Sequence, residues 1–318
     1  MMNKFLFLLF FPVIVFSQSQ LDVANKLFKK GQYNKAESIL SNYLSEHPND
    51  VNALEMLGDV YAYQEKWDAA IDNYKKLVKA HPKVANNQYK YGGAMGMKAL
   101  SISKLRALSL IDDIKDAFLK AAKLDKNHIE VRWALVQLYI QLPGILGGST
   151  SKALKYSNEL QQLSTVDGYL AKGYIYEDDD EPELAETYYK KAIKEGGSLT
   201  GFNKLTNLYE NGNQPEKAIA NIGVAQVNHR RNALYYKIGE VAAKHNIELD
   251  KGEQCLKTYL QYHSSDDDVP KAWAHYRLAQ IYTHQENKMA ALKHIDLAIT
   301  ALPQVKSFKT QKKKILVL

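Results

Sequence analysis

The feature that most constrains this chain is an order of residues repeated at a fixed interval. Gly31-Gln32-Tyr33-Asn34-Lys35-Ala36 is followed by Leu40, Tyr43 and Pro48, and Glu65-Lys66-Trp67-Asp68-Ala69-Ala70 by Tyr74, Leu77 and Pro82. Ala36 and Ala70 stand 34 residues apart. Each stretch has an aromatic, then a small residue, then bulk four and again three positions later, spacings that share one face of a helix. Ahead of it lies a second motif, clearest as Leu57-Gly58-Asp59-Val60-Tyr61, whose glycine lets two helices approach closely. One interval therefore holds a helix, a turn and a second helix. Such a pair cannot bury its apolar stripe alone, so pairs must stack into an array.

Both motifs recur along the chain. Tyr91-Gly92 goes with Phe118 and Ala121; Leu135-Val136-Tyr139 with Ala153 and Leu160; Gly173-Tyr176 with Ala185, Tyr189 and Ala192. Further on, Leu205-Tyr209 goes with Ala218, Ile222 and Ala225; Ile238-Gly239 with Gly252, Leu256 and Tyr259; Leu278-Ala279-Tyr282 with Ala291, Ile295, Ala298 and Pro303. This order resembles the tetratricopeptide repeat over residues 19–303. The resemblance implies an all-α superhelical solenoid of about eight helix-turn-helix units, near residues 18–50, 51–84, 85–127, 128–165, 166–198, 199–231, 232–270 and 271–304. Residues 304–318 are expected to form a capping helix, with Leu302, Val305, Phe308, Ile315 and Leu316 packing and a basic tail facing solvent.

The chain opens with Lys4 and an unbroken apolar stretch, Phe5 to Phe16, followed by small and polar residues. Twelve apolar residues are too few for a membrane span, which needs roughly 20, and Pro12 sits in their middle. The segment 1–17 reads as a secretory signal peptide. Val15 and Ser17 satisfy the small-residue rule for cleavage, leaving Gln18 first, and no cysteine follows to accept a lipid. The expected mature protein is soluble, periplasmic or secreted, with no membrane span. Cys255 is the single cysteine, so no intrachain disulfide can form, and its apolar neighbours suggest a core position. The 42 Lys and Arg against 35 Asp and Glu give a net charge of +7, too modest an excess to indicate nucleic acid.

Two units depart from the period. Gly92 to Phe118 spans 26 residues where Gly58 to Tyr74 spans 16. The additional residues, around Met97 to Leu110, carry Leu100, Ile102, Leu105, Leu108 and Leu110 at helical spacing; packed, lengthened helices are expected, with a lid as the alternative. The second departure is Leu142-Pro143-Gly144-Ile145-Leu146-Gly147-Gly148-Ser149. Pro143 should end one helix; Gly144, Gly147 and Gly148 permit positive φ; Ser149 or Thr150 can cap the next helix. An apolar-anchored structural turn is expected, with ligand contact through its N–H groups as the alternative. Similar Pro-Gly-hydrophobic-hydrophobic-Gly-Gly-Ser loops occur in uncharacterised bacterial tetratricopeptide proteins.

No motif here predicts catalysis. The nine histidines form no His-Glu-x-x-His pair, and His275, His284 and His294 read as surface or core residues. The runs Asp178–Glu181 and Asp266–Asp268 lack the glycine and alternating ligands of a calcium loop and read as solvated turns. No cofactor or metal is expected. The resemblance implies a non-catalytic scaffold that binds a protein or peptide in a groove. Alternatives are an enzyme or enzyme-accessory domain, or a binder of envelope polymer or carbohydrate.

In such repeats the groove is lined by positions flanking the Leu-Gly pair of each first helix. Those positions are Glu55 and Asp59, Tyr89 and Gly93, Trp133 and Gln137, Leu170 and Tyr174, Asn203 and Asn207, Tyr236 and Glu240, Tyr276 and Gln280. They hold aromatics and amides but no Lys or Arg, which is unlike the carboxylate-clamp subfamily. Rigid rings and backbone-bonding amides suit an extended peptide.

Overall fold

The 3.6-residue periodicity is realised throughout a computed structural model that describes residues 11–318, with side chains from residue 20. The expected signal segment, 1–17, lies outside the residues whose side chains are described. All regular structure among the described residues is helical, and these residues divide into two compact units, the first ending at Leu163 and the second running from Ser164 to Leu318.

The first unit contains four helix pairs: α1 (Phe11–Lys29) with α2 (Tyr33–Glu46), α3 (Val51–Tyr63) with α4 (Trp67–Ala80), α5 (Ala85–Ser101) with α7 (Ile111–Leu124), and α8 (Ile129–Gln141) with α9 (Thr150–Leu163). A short helix, α6 (Lys104–Ala107), and a 3₁₀ turn, Leu108–Leu110, lie between α5 and α7. The second unit pairs α10 (Thr165–Asp178) with α11 (Pro182–Gly196), α12 (Leu199–Asn211) with α13 (Pro215–His229), α14 (Asn232–His245) with α15 (Leu249–Gln261), and α16 (Lys271–His284) with α17 (Lys288–Ala301). The final helix, α18 (Lys306–Leu316), buries Phe308 and Ile315 in the terminal core. Within each unit every second helix also packs on the first helix of the following pair, which buries stripes that one pair would leave wet.

Close approach within the pairs depends on missing side chains. A Cβ on Gly58 would lie 2.5 Å from the Tyr74 ring, and one on Gly173 would lie 2.4 Å from Tyr189. The buried tyrosines keep their hydroxyls satisfied: Tyr74 donates to Asp59 at 2.6 Å and Tyr189 to Glu177 at 2.6 Å. Burial, then the neighbouring carboxylate, pushes both phenols well above their ordinary range.

Five of the turns within the pairs share one geometry. Gly31, Glu65, Asp180, Asn213 and Glu286 all have positive φ. After each, an amide bonds back across the helix end: Gln32 to the Leu27 carbonyl, Lys66 to Tyr61, Glu181 to Tyr176, Gln214 to Tyr209 and Asn287 to Tyr282, at 2.8–2.9 Å. This left-handed cap satisfies carbonyls that a helix end leaves free and reverses the chain in about three residues.

The acidic runs do different things. Asp180 supplies one of these left-handed turns, whereas Asp267 accepts from the Ser264 amide and the Asn232 side chain, both at 3.0 Å. Asp267 therefore ties its loop to α14 and is not merely a solvated turn residue. Cys255 is only partly buried, which moves it from the expected core position to the core edge; burial still pushes its thiol pKa up.

Candidate functional site

The two departures from the repeat meet at one cavity in the first unit. Its volume is about 800 Å³. One long wall is α5, which contributes Lys90, Gly93, Gly96, Met97 and Leu100; α8 contributes Ala134, Gln137, Leu138 and Gln141. Ile114 and Phe118 of α7 reach it from the core, and Trp67 and Tyr74 of α4 close another side. Ile102, Lys104 and Leu108 come from the inserted segment, and Leu142, Pro143 and Leu146 from the glycine-rich loop.

This corrects the expectation that the inserted leucines pack. Leu100 is 69% and Leu105 80% exposed, with Met97 and Leu108 also exposed. Only α5 is lengthened, and the chain then breaks into α6, which lies against α5, and a 3₁₀ turn against α5 and α7, with Leu105 turned to solvent and Leu100 and Leu108 at the cavity.

The glycine-rich loop is likewise built differently from expectation. Leu142 is extended ahead of Pro143, a 3₁₀ turn runs over Gly144–Leu146, and Gly147 has φ +94°. Gly147 alone of the three glycines uses positive φ. Gly148 is required for another reason: a Cβ there would fall 1.7 Å from the Leu142 carbonyl oxygen. Gly144 has open space and ordinary φ, so neither constraint applies to it. The Gly148 amide donates to Pro143 at 3.1 Å, the Ser149 amide to Tyr139 at 2.8 Å, and the Ser149 hydroxyl accepts from Lys152 at 3.3 Å. Ile145 is 95% exposed and anchors nothing; Leu146 turns to the cavity.

Electrostatics at the cavity are nearly cancelled on one side. The Lys90 ammonium contacts Glu55 and Asp59, each at 2.7 Å. Burial opposes the charge on Lys90, but the two carboxylates outweigh it and raise its pKa. Glu55 and Asp59, expected to face a ligand, are therefore engaged with Lys90, while Tyr89, Gly93 and Gln137 line the cavity. Trp133 is half-buried and lies outside the lining.

In the second unit, the first helices carry a row of polar contacts. Asn203 and Asn207 are exposed one turn apart on α12, with Glu210 on the same face. Glu210 contacts Lys237 at 3.1 Å and Lys244 at 3.7 Å. Lys237 also contacts Glu240 at 3.1 Å, Arg277 contacts Glu240 at 2.6 Å, and Arg277 donates to Gln280 at 3.0 Å. Gln280 in turn donates to the Tyr276 hydroxyl at 3.3 Å. Burial works against the Glu240 charge, but Lys237 and Arg277 reverse it and hold the carboxyl below its usual range. On α10, the Tyr174 ring lies 5.6 Å from the Lys204 ammonium.

Two sequence expectations change here. The face is not free of cations: Lys237 and Arg277 follow the expected positions Tyr236 and Tyr276 by one residue. Tyr236 is 7% exposed and packs on Tyr259 with ring centres 5.4 Å apart, because it points into the pair while Lys237 points out. Leu170 is also buried. Of the expected positions, the contacts bring together Glu240, Tyr276 and Gln280, while Asn203 and Asn207 lie exposed on the α12 face that carries Glu210. The missed signal was the recurrence of a cation directly after an aromatic, as in Tyr89-Lys90, Tyr236-Lys237 and Tyr276-Arg277.

Among the histidines, His275 and His294 meet Nδ1 to Nδ1 at 2.9 Å, whereas His284 bonds the Ala243 carbonyl at 3.0 Å. Burial, then the neighbouring His275, lowers the His294 pKa to about 4. No cluster of three or more metal-ligating side chains exists among the described residues. No helix of the described residues is long and apolar enough to cross a membrane.

Family models described as tetratricopeptide repeats match residues 21–92 and 166–195, so the chain carries repeats of this type. A solved tetratricopeptide repeat protein from Parabacteroides merdae is similar in fold, with TM-score 0.52 and 15% identity over 83% of this chain and 98% of that one. MamA matches at 23% identity over 56% of this chain and 90% of that one, TM-score 0.44. YrrB, described as a tetratricopeptide protein with an unusual peptide-binding site, matches at 21% over 62% and 98%, TM-score 0.43. No curated protein is significantly similar in sequence.

Proposed function

We propose that this chain, built on tetratricopeptide repeats, is a non-catalytic scaffold that binds an extended protein segment along the first helices of its second unit. Repeats of this type typically serve protein interaction. The observation that carries the reading is the polar row from Asn203 and Asn207 through Glu210, Lys237 and Glu240 to Arg277 and Gln280. Ion pairs across successive helices fix those side chains before a partner arrives, which lowers the ordering cost of association. The exposed amides of Asn203 and Asn207 offer both donors and acceptors to a peptide backbone. Tyr174 and Tyr276 of the same unit add contact surface. Paired Lys237 and Arg277 argue against simple capture of a carboxylate terminus, since Glu210 and Glu240 already neutralise them.

The protein is proposed to act after export, in the periplasm or outside the cell, following cleavage near Ser17; the Lys4 and Phe5–Phe16 pattern supports this. The loop 142–149 is proposed to mark a bacterial subgroup of such exported proteins. The binding surface is tested by introducing a photo-crosslinking residue at Asn207 or at Tyr262, which is 64% exposed just beyond α15. A discrete adduct from position 207 and none from 262 is expected in the native envelope; the reverse would move the site to the second helices.

A further inference from the structure

From the cavity of the first unit we infer a second binding site, one that takes a single-chain fatty acid with its hydrocarbon along α5 and its carboxylate at Lys104. The inference rests on the first unit alone and is independent of the peptide-binding row.

Shape sets the length of the ligand. From Lys90 to Ile102 the wall runs about 18 Å at 1.5 Å per residue, room for an extended chain of roughly a dozen carbons or more. Gly93 and Gly96 keep the wall flat, since a Cβ on either would meet nothing within 4 Å.

Chemistry narrows it further. An extended peptide brings an N–H and a C=O at every residue, and each needs a partner when it leaves water. Most of the wall is helix that uses its own backbone groups, and in the glycine-rich loop the Pro143 and Gly144 carbonyls already accept from Leu146, Gly147 and Gly148. Of the polar side chains at the cavity, Lys90 is held by Glu55 and Asp59 and the Tyr74 hydroxyl by Asp59, leaving Trp67, Tyr89, Gln137, Gln141 and Lys104, fewer than the backbone groups of a peptide of that length. A hydrocarbon chain makes no such demand. At the rim, Lys98 pairs with Asp68 and Lys115 with Asp112, while Lys104 is exposed and has no ion-pair partner among the described residues. One uncompensated cation at the end of an apolar slot complements an apolar chain with one terminal anion, in the usual pattern of an apolar pocket with few placed polar groups.

The test uses the full chain with dansyl-undecanoate as fluorescent probe and palmitate as competitor, both below micelle-forming concentrations. Saturable one-to-one binding displaced by palmitate is expected. Gly93→Leu and Gly96→Leu, which fill the slot, should each weaken binding at least tenfold without lowering the melting temperature. Lys104→Glu should weaken palmitate at least fivefold and leave hexadecanol unchanged. Absence of saturable binding, or equal binding by folded Gly96→Leu, would overturn the inference. So would binding of an apolar peptide, but not palmitate, that Gly96→Leu abolishes, since that outcome assigns the cavity to a protein partner.

Discussion

Replacing Gly148 by alanine should destabilise the first unit by about 2–4 kcal/mol, far more than the same change at Gly144. The new Cβ would lie 1.7 Å from the Leu142 carbonyl oxygen, roughly half a normal contact, so the loop must move by more than an ångström. Moving it endangers the Gly148-to-Pro143 and Ser149-to-Tyr139 hydrogen bonds, each worth about 1 kcal/mol. It also displaces the Ser149 cap of α9, worth about another 1 kcal/mol. At Gly147 the cost is that of a left-handed alanine, about 1–2 kcal/mol; at Gly144 there is neither a clash nor positive φ, and the change should stay within about 0.5 kcal/mol. Urea unfolding followed by circular dichroism ranks the three variants. Equal stabilities for Gly148→Ala and Gly144→Ala would refute the proposed role of close approach.

Acid should weaken the second unit through His294, whose pKa falls from an ordinary 6.5 to about 4 on folding. The unfolded chain binds the extra proton between those values, so this contribution is full above pH 6.5 and is lost as pH falls towards 4. The ceiling is about 3 kcal/mol, and about half that remains once partial exposure is allowed for; His294→Gln should flatten the urea midpoint against pH, and an unchanged slope would exclude this residue as the cause. Export predicts that mass spectrometry of the native protein finds a chain starting near Gln18, whereas a retained Met1 in a cytosolic protein contradicts it.

Helix pairing was legible because a 34-residue interval with small residues opposite rings leaves little geometric freedom: Gly58 against Tyr74 and Gly173 against Tyr189 are contacts that spacing alone suggests. The cavity was not legible. Helical spacing of Leu100, Leu105 and Leu108 announces an apolar face but not what stands opposite it: Leu100 and Leu108 border an open cavity and Leu105 faces solvent. Similarly, glycine in a loop suggests positive φ, which holds for Gly147, whereas the need at Gly148 comes from a carbonyl six residues earlier. The polar row was half legible, since Asn203 and Asn207 follow from the repeat, while Lys237 and Arg277 sit one position off and show their role only through partners on neighbouring helices.

The central claim is that the first-helix face of the second unit recognises a partner segment. Its most direct measurement is the affinity of the photo-crosslinked partner, once purified, for the wild-type chain and for Asn203→Ala combined with Asn207→Ala, two exposed positions whose loss should leave helicity and melting temperature nearly unchanged. A loss of at least tenfold, about 1.4 kcal/mol, is expected; wild-type affinity in the folded double variant would contradict the claim.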